Sequence, residues 1–319
     1  MTTATQPELV LDPTTVVEPD PAAEPQGFVV EADGGTRIHF LDWGGPTAAS
    51  APRVLLVHGL AQTAWAWTAV ARRLRATARV VAVDLRGHGL SDSPTDGYDP
   101  DTLAEDLIAV AEGSGLIDSA ASSSGLILAG HGFGAVVAAW SAAVLGDRAG
   151  GLVLVDGGWE DLARSTAMEP DEFMRGLDEP PEVLRTMEAF LADRRAFDPS
   201  TWDADQEQAA RSTVVETHAK RLTPATRPHA VRGSVEAMFL HDPLVVLPLV
   251  EVPIVALRAA DDNSGTHAEA LAEAQAALVA AGRPLIRVAS FPDAGHNLLR
   301  YRPREVVGAI LSLAGTLPP

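Results

Sequence analysis

From residue 28 onward, short β-branched apolar stretches alternate with longer stretches of helical periodicity, and this alternation limits the possible folds more than any other feature. Strand-like stretches fall at 28–32, 37–43, 54–58, 80–84, 126–129, 152–156, 254–257 and 286–291, and helical ones at 65–75, 102–112, 133–145, 267–281 and 304–314. From the third strand onward the stretches are apolar on both faces, as strands covered by helices on both sides must be. The pattern predicts an α/β fold, with a doubly wound, mostly parallel sheet of eight strands and helices on both faces.

Two segments depart from the alternation. Residues 1–26 carry five prolines and five acids with no basic residue, a composition that buries too little apolar surface to fold alone. It predicts a solvated arm, in which only the apolar pieces at 9–11 and 16–17 are suited to docking. Residues 158–245 show no strand pattern but several helical segments broken by prolines, and 159–220 holds fifteen acids against seven bases. Lying between two sheet strands, this segment is expected to form a helical lid over the strand ends, where open α/β sheets bind ligands. The expected organisation is therefore an arm (1–26), a core (27–157 and 246–319) and a cap (158–245).

Composition excludes several function classes. The 24 Lys and Arg against 43 Asp and Glu leave a net charge of -19, which argues against nucleic acid or an anionic membrane as partner. With no cysteine there is no disulfide, thiolate metal site or cysteine nucleophile. No apolar run reaches the ~20 residues of a membrane span, and the first residues lack a secretory signal pattern, so a cytoplasmic protein is expected. No pair of histidines has metal spacing and no Walker lysine or ribose-binding acid accompanies a glycine-rich turn, so no metal or other cofactor is expected. Oligomeric state is not fixed by the sequence, which leaves a homodimer open.

The motif that carries chemistry is Gly130-His131-Gly132-Phe133-Gly134, set between a strand and a helix. The nucleophile elbow G-x-S-x-G has this context: its outer glycines let strand and helix pass closely, and its middle residue projects a hydroxyl from a strained turn. Here the middle residue is Gly132, so the frame is complete and the hydroxyl is missing. His58-Gly59 ends another strand, and the N–H of Leu60 with that of Phe133 would supply a two-donor oxyanion hole. Asp84-Leu85-Arg86-Gly87-His88-Gly89-Leu90-Ser91 follows the next strand, and Gly295-His296 follows the last one.

In this order the motifs make the chain, over 28–315, resemble the α/β-hydrolase superfamily, specifically its cap-bearing esterases and lactonases. The resemblance implies that His296 is the general base, and that a small hydrophobic carboxylic ester or lactone is the substrate. Most members place the acid after the strand that follows the cap, where Asp262 fits first and Asp261 next. A subset places it one strand earlier, where Asp156 stands. His58, His88 and His131 are expected to be polar neighbours that hold loops, and His267 a surface residue. Aromatic and Met residues (Phe133, Phe173, Met174, Met238, Phe239) gather near the mouth, and Trp65, Trp67 and Trp159, with His131, are the expected pocket wall. An aspartate-nucleophile enzyme such as an epoxide hydrolase fits less well, because the only tyrosines are Tyr98 and Tyr301.

Gly132 admits three readings. The chain is a serine hydrolase whose serine has been replaced by glycine, which adopts the strained elbow without penalty. It is a non-catalytic member that binds a small molecule. Or it is an enzyme in which His296 acts on substrate or water with no covalent step. Retention of His296, the oxyanion loop and the candidate acids favours the first.

Overall fold

The structure, a computed structural model, describes residues 8–11, 16–48, 50–118, 125–177, 186–218, 221–260 and 265–315. The first half of the chain runs β1 (Gln26–Glu31), β2 (Arg37–Gly44), β3 (Arg53–Val57), α1 (Thr68–Leu74), β4 (Arg79–Val83), α2 (Pro100–Gly113), β5 (Leu126–His131), α3 (Phe133–Leu145) and β6 (Ala149–Val155). Between β6 and the next sheet strand lie α4 (Leu162–Thr166), α5 (Pro170–Leu177), α6 (Met187–Phe197), α7 (Ala204–Ser212), β7 (Val214–Glu216), β8 (Leu222–Pro224), α8 (Pro228–Leu240) and α9 (Pro243–Val246). The chain then closes with β9 (Ile254–Arg258), α10 (Thr266–Ala280), β10 (Arg287–Ser290), α11 (Leu298–Tyr301) and α12 (Pro303–Ala314).

Eight strands form one sheet in the order β1-β2-β4-β3-β5-β6-β9-β10, antiparallel at β1 and β2 and parallel from β4 onward. Strand side chains alternate between two cores. Leu55, Val57, Leu128 and Leu154 face one core, shared with α2, α3 and α10, while Val54, Leu56, Ile127 and Val153 face the other, shared with α1 and α12. This two-residue period on a sheet covered on both sides is the reason the strands read as continuous apolar runs. α3 is buried nearly all round, as its composition from Phe133 to Leu145 demands.

Three details differ from the sequence expectation. β6 begins at Ala149 rather than 152, because its first three residues, Ala-Gly-Gly, carry no β-branched signal. Residues 158–245 contain a short antiparallel hairpin, β7 against β8, whose three-residue strands are too short to show a period. The described part of the arm is docked rather than solvated. Leu9 N–H donates to the Val288 carbonyl at 2.8 Å beside β10, Val16 and Ala23 are buried, and Arg72 holds the Ala23 carbonyl and Glu24. Few apolar side chains suffice here because the body supplies backbone and charged partners.

Candidate active site

The turn after β5 is held open by sterics and backbone. A Cβ on Gly130 would collide with the backbone of Gly134, and one on Gly134 with the carbonyls of Val57 and His58. Strand and helix therefore cross at backbone contact. Between them Gly132 sits at φ 53°, ψ -117°, its N–H donating to the Val155 carbonyl at 3.0 Å. A side chain in such a conformation costs ~1–3 kcal/mol, and glycine avoids that strain. A Cβ at Gly132 would lie 3.3 Å from Nε2 of His296 and 3.5 Å from its Cε1. The missing side chain therefore points at that imidazole.

His296 follows β10 and is oriented by Asp156, which follows β6. Nδ1–H donates to Asp156 Oδ2 at 2.7 Å, leaving Nε2 as the basic atom facing the elbow. The other carboxylate oxygen accepts the Ala259 N–H at 2.7 Å, so a buried charge has both oxygens satisfied. Asp156 is one of three non-glycine residues with positive φ among the described residues, at 46°. Asp262, the first expectation for the acid, and Asp261 fall in 261–264, outside the described residues. Asp156, the second, is the carboxylate that holds the imidazole.

The loop after β3 faces the same turn. Leu60 and Phe133 both border the cavity at Gly132, and among the described residues neither N–H has an acceptor. Ala61, next to Leu60, is the second positive-φ residue, at 58°. Gln62 Oε1 accepts the Gly59 N–H at 3.0 Å and lies 3.3 Å from His131 Nδ1, whose Nε2 lies 3.1 Å from the His296 carbonyl. Burial, and then the neighbouring His296, pull the His131 pKa down to about 3, so the ring is neutral and bridges these loops with one N–H. His58 and His88 hold loops as expected. His58 Nδ1 donates to the Gly59 carbonyl and its Nε2 accepts from Leu85 N–H, while burial lowers His88 to about 3.

The cavity in front of Gly132 and His296 has a volume of about 380 Å³. Phe133, Phe173 and Met238 of the expected aromatic group line it, together with Leu60, Val136 and Leu177. The three tryptophans do not. Trp67 and Trp159 are fully buried in the two sheet cores, and Trp65 packs edge-on against Trp43 at 6.2 Å. The indoles of Trp67 and Trp159 cover more apolar area inside the core than a pocket rim offers, and Trp65 is partly buried against the core that holds Trp67. His131 borders the cavity.

A second histidine–carboxylate pair was not legible. His267, in the first turn of α10, lies 3.3 Å through Nε2 from Glu160, and both border the cavity. Glu160 follows the turn that places Asp156, but no motif marks it, and His267 reads as an ordinary helix residue. Among the described residues no group of three or more His, Cys, Asp or Glu is placed to hold a metal ion, and no described helix is long and apolar enough to cross a membrane.

Comparison with known proteins bears on this geometry. The model of the family described as "Alpha/beta hydrolase family" matches residues 54–309. Epoxide hydrolase 4 of Mus musculus is 32% identical over 127 residues, 39% of this chain and 32% of that protein, so the match spans about a third of the relative. Among solved structures, E-2-(acetamidomethylene)succinate hydrolase superposes with a TM-score of 0.72 at 22% identity, covering 91% of this chain and 98% of the other. The enol-lactonase from Burkholderia xenovorans gives 0.62 at 19%, covering 90% and 99%. These two likenesses speak to the fold.

Proposed function

The chain belongs to the α/β-hydrolase family, and from that premise we propose that its cavity is the active site of a serine-type hydrolase for a hydrophobic carboxylic ester or lactone, in a form that lacks the nucleophile. The observation that carries this reading is the direction of the absent side chain: Gly132 points its Cβ position at Nε2 of His296 from 3.3 Å. A serine there would put its hydroxyl against the one basic nitrogen that Asp156 leaves available. His296 would take the hydroxyl proton as Oγ bonds to the carbonyl carbon, and would return it to the leaving oxygen as that C–O bond breaks. The developing oxyanion would rest on the N–H groups of Leu60 and Phe133. Apolar walls at Val136, Phe173 and Met238, and an adjoining apolar cavity of about 460 Å³ sharing Leu60 and Leu177, suit a hydrophobic acyl chain. Residues 158–245 act as its cap. Neither Tyr98 nor Tyr301 borders these cavities, which speaks against an epoxide-opening site.

A second reading has one observation in its favour. With glycine at 132, Nε2 of His296 faces open volume, and a water held there could be activated without a covalent intermediate. Turnover of p-nitrophenyl esters and a lactone panel separates the two. Under the proposed function the Gly132→Ser variant gains at least about 10³-fold over the glycine form, and His296→Ala removes the gain. Activity of the glycine form itself, lost in His296→Ala, supports the water mechanism. Silence of both forms, with the serine variant folded, overturns the hydrolase reading.

A further inference from the structure

A third cavity, of about 330 Å³, opens between the loop after β3 and helices α6 and α7. It adjoins the candidate active site, because Gln62 and Asn297 border both. Its chemistry is opposite to that of its neighbour. Among the described residues, the active-site cavity is bordered by two carboxylates, Asp156 and Glu160, and by no Lys or Arg, whereas the third cavity is bordered by Arg194 and Arg300 and by no carboxylate. Amides from Gln62, Gln206 and Asn297 and hydroxyls from Thr63 and Thr213 add to its polar surface. In a chain of net charge -19, two guanidinium groups on one cavity with no described carboxylate on its border set it apart from its neighbour.

Arg300 is held in place rather than merely present. Its Nε donates to Thr201 Oγ1 at 2.5 Å and one Nη2 N–H to the Asp198 carbonyl at 2.7 Å. A guanidinium has five N–H donors in a fixed fork, so three remain beyond these two bonds. Arg194 stands over the Phe190 ring at 5.1 Å and borders both the apolar cavity and this one. Both arginines are half-buried, where a charge-assisted hydrogen bond to an anion is less weakened by water than on the open surface.

We infer that this cavity is a subsite for an anionic substituent, a carboxylate or a phosphate, carried on the leaving-group side of the substrate. The placement follows from Asn297, the residue after His296: the proton that His296 returns goes to the leaving oxygen, so the leaving group lies on the imidazole side and the hydrophobic acyl chain on the other. The side assigned rests on the proposed hydrolase function, while the presence of an anion subsite does not.

Equilibrium binding to the Gly132 chain tests it, because intact esters can be titrated. Calorimetry at low salt compares the hexanoate ester of 4-hydroxybutanoate, its neutral 4-hydroxybutanamide counterpart, the hexanoate ester of 3-hydroxypropyl phosphate, and monobutyl adipate, whose carboxylate sits on the acyl side. We expect the carboxylate or phosphate leaving-group ester to bind about tenfold more tightly than the amide, with the advantage shrinking in high salt. Arg194→Gln and Arg300→Gln should each cut that advantage, taken as the ratio to the amide in the same variant, to about twofold or less. The stronger of the two anions identifies which substituent the site takes. Equal affinity of all leaving-group esters, or an advantage that survives in both variants, overturns the subsite. If Arg300→Gln unfolds because Thr201 and Asp198 lose their donor, Arg194→Gln decides alone. A tighter fit for monobutyl adipate overturns the side assigned. If Gly132→Ser proves inactive while the anion preference stands, the hydrolase reading falls and the subsite remains.

Discussion

The candidate site has two walls built by different physics. The wall at the sheet ends is made by loops after β3, β5, β6 and β10, whose geometry is fixed by backbone contact and buried hydrogen bonds: Gly130 against Gly134, Asp156 between His296 and Ala259, and His131 between Gln62 and His296. The wall from residues 158–245 is made by side chains such as Phe173, Leu177 and Met238, on helices with few buried residues. The two histidine–carboxylate pairs that border the cavity show the same contrast. His296–Asp156 closes at 2.7 Å with the carboxylate 3% exposed, while His267–Glu160 spans 3.3 Å with the carboxylate 17% exposed. Chemistry needs the first kind of wall, since misplacement by an ångström can cost about 100-fold, and selectivity can be built on the second.

Substitutions can break this comparison, and the largest effect expected is at the first pair. In the Gly132→Ser background, Asp156→Asn should lower kcat by about 10⁴-fold, because the imidazole loses the partner that sets its tautomer. Glu160→Gln in the same assay should change kcat by less than about tenfold. Equal losses at the two carboxylates would erase the distinction between the walls.

Stability should divide in the same way. Trp159→Ala removes a fully buried indole from the sheet core and should lower unfolding free energy by about 3–5 kcal/mol, measured by urea titration. Phe173→Ala, on the other wall, is half-buried and should cost about 1 kcal/mol or less, while weakening ester binding.

A smaller effect, spread over pH, comes from the buried histidines. His131 and His88 are each held near 3 by burial, against about 6.5 in the unfolded chain. Between those values the unfolded chain binds more protons than the folded one, so stability is full above about pH 6.5 and falls as pH drops toward 3. The slope should approach about 1.4 kcal/mol per pH unit for each histidine, and His88→Asn should make it shallower. The smallest effect expected is at His267→Gln. Its unfolding free energy from urea titration at pH 7 should stay within about 0.5 kcal/mol of the parent.

How much of this was legible depends on whether backbone or side-chain packing sets a feature. From β3 onward the sheet was legible because burial on both faces leaves apolar runs, and the ends of β3, β4, β5 and β10 carry motifs. The elbow was legible because backbone crossing demands glycine at 130 and 134, and His296 because it follows the last strand in a Gly-His loop. The partner of His296 was left open between Asp262 and Asp156, since spacing along the chain does not say which strand end lies beside β10. The tryptophans were misplaced because an aromatic beside a motif looks alike whether it turns toward the pocket or the core. Glu160 and His267 carry no motif, and their meeting depends on how α10 packs. The hairpin of β7 and β8 and the docked arm were missed for a related reason, since each is held by a handful of bonds to distant residues rather than by a local pattern.

The central claim is that Gly132 occupies a nucleophile position already aligned with a working base. Its most direct measurement is the intact mass of the Gly132→Ser protein after exposure to an alkyl fluorophosphonate, which bonds to a serine oxygen with loss of fluoride only when a neighbouring base activates that oxygen. The account predicts a single adduct, located at residue 132 by peptide mapping, that is absent from the glycine form and from the Gly132→Ser, His296→Ala double variant. A folded Gly132→Ser protein that takes up no adduct, or takes it up equally without His296, would contradict it.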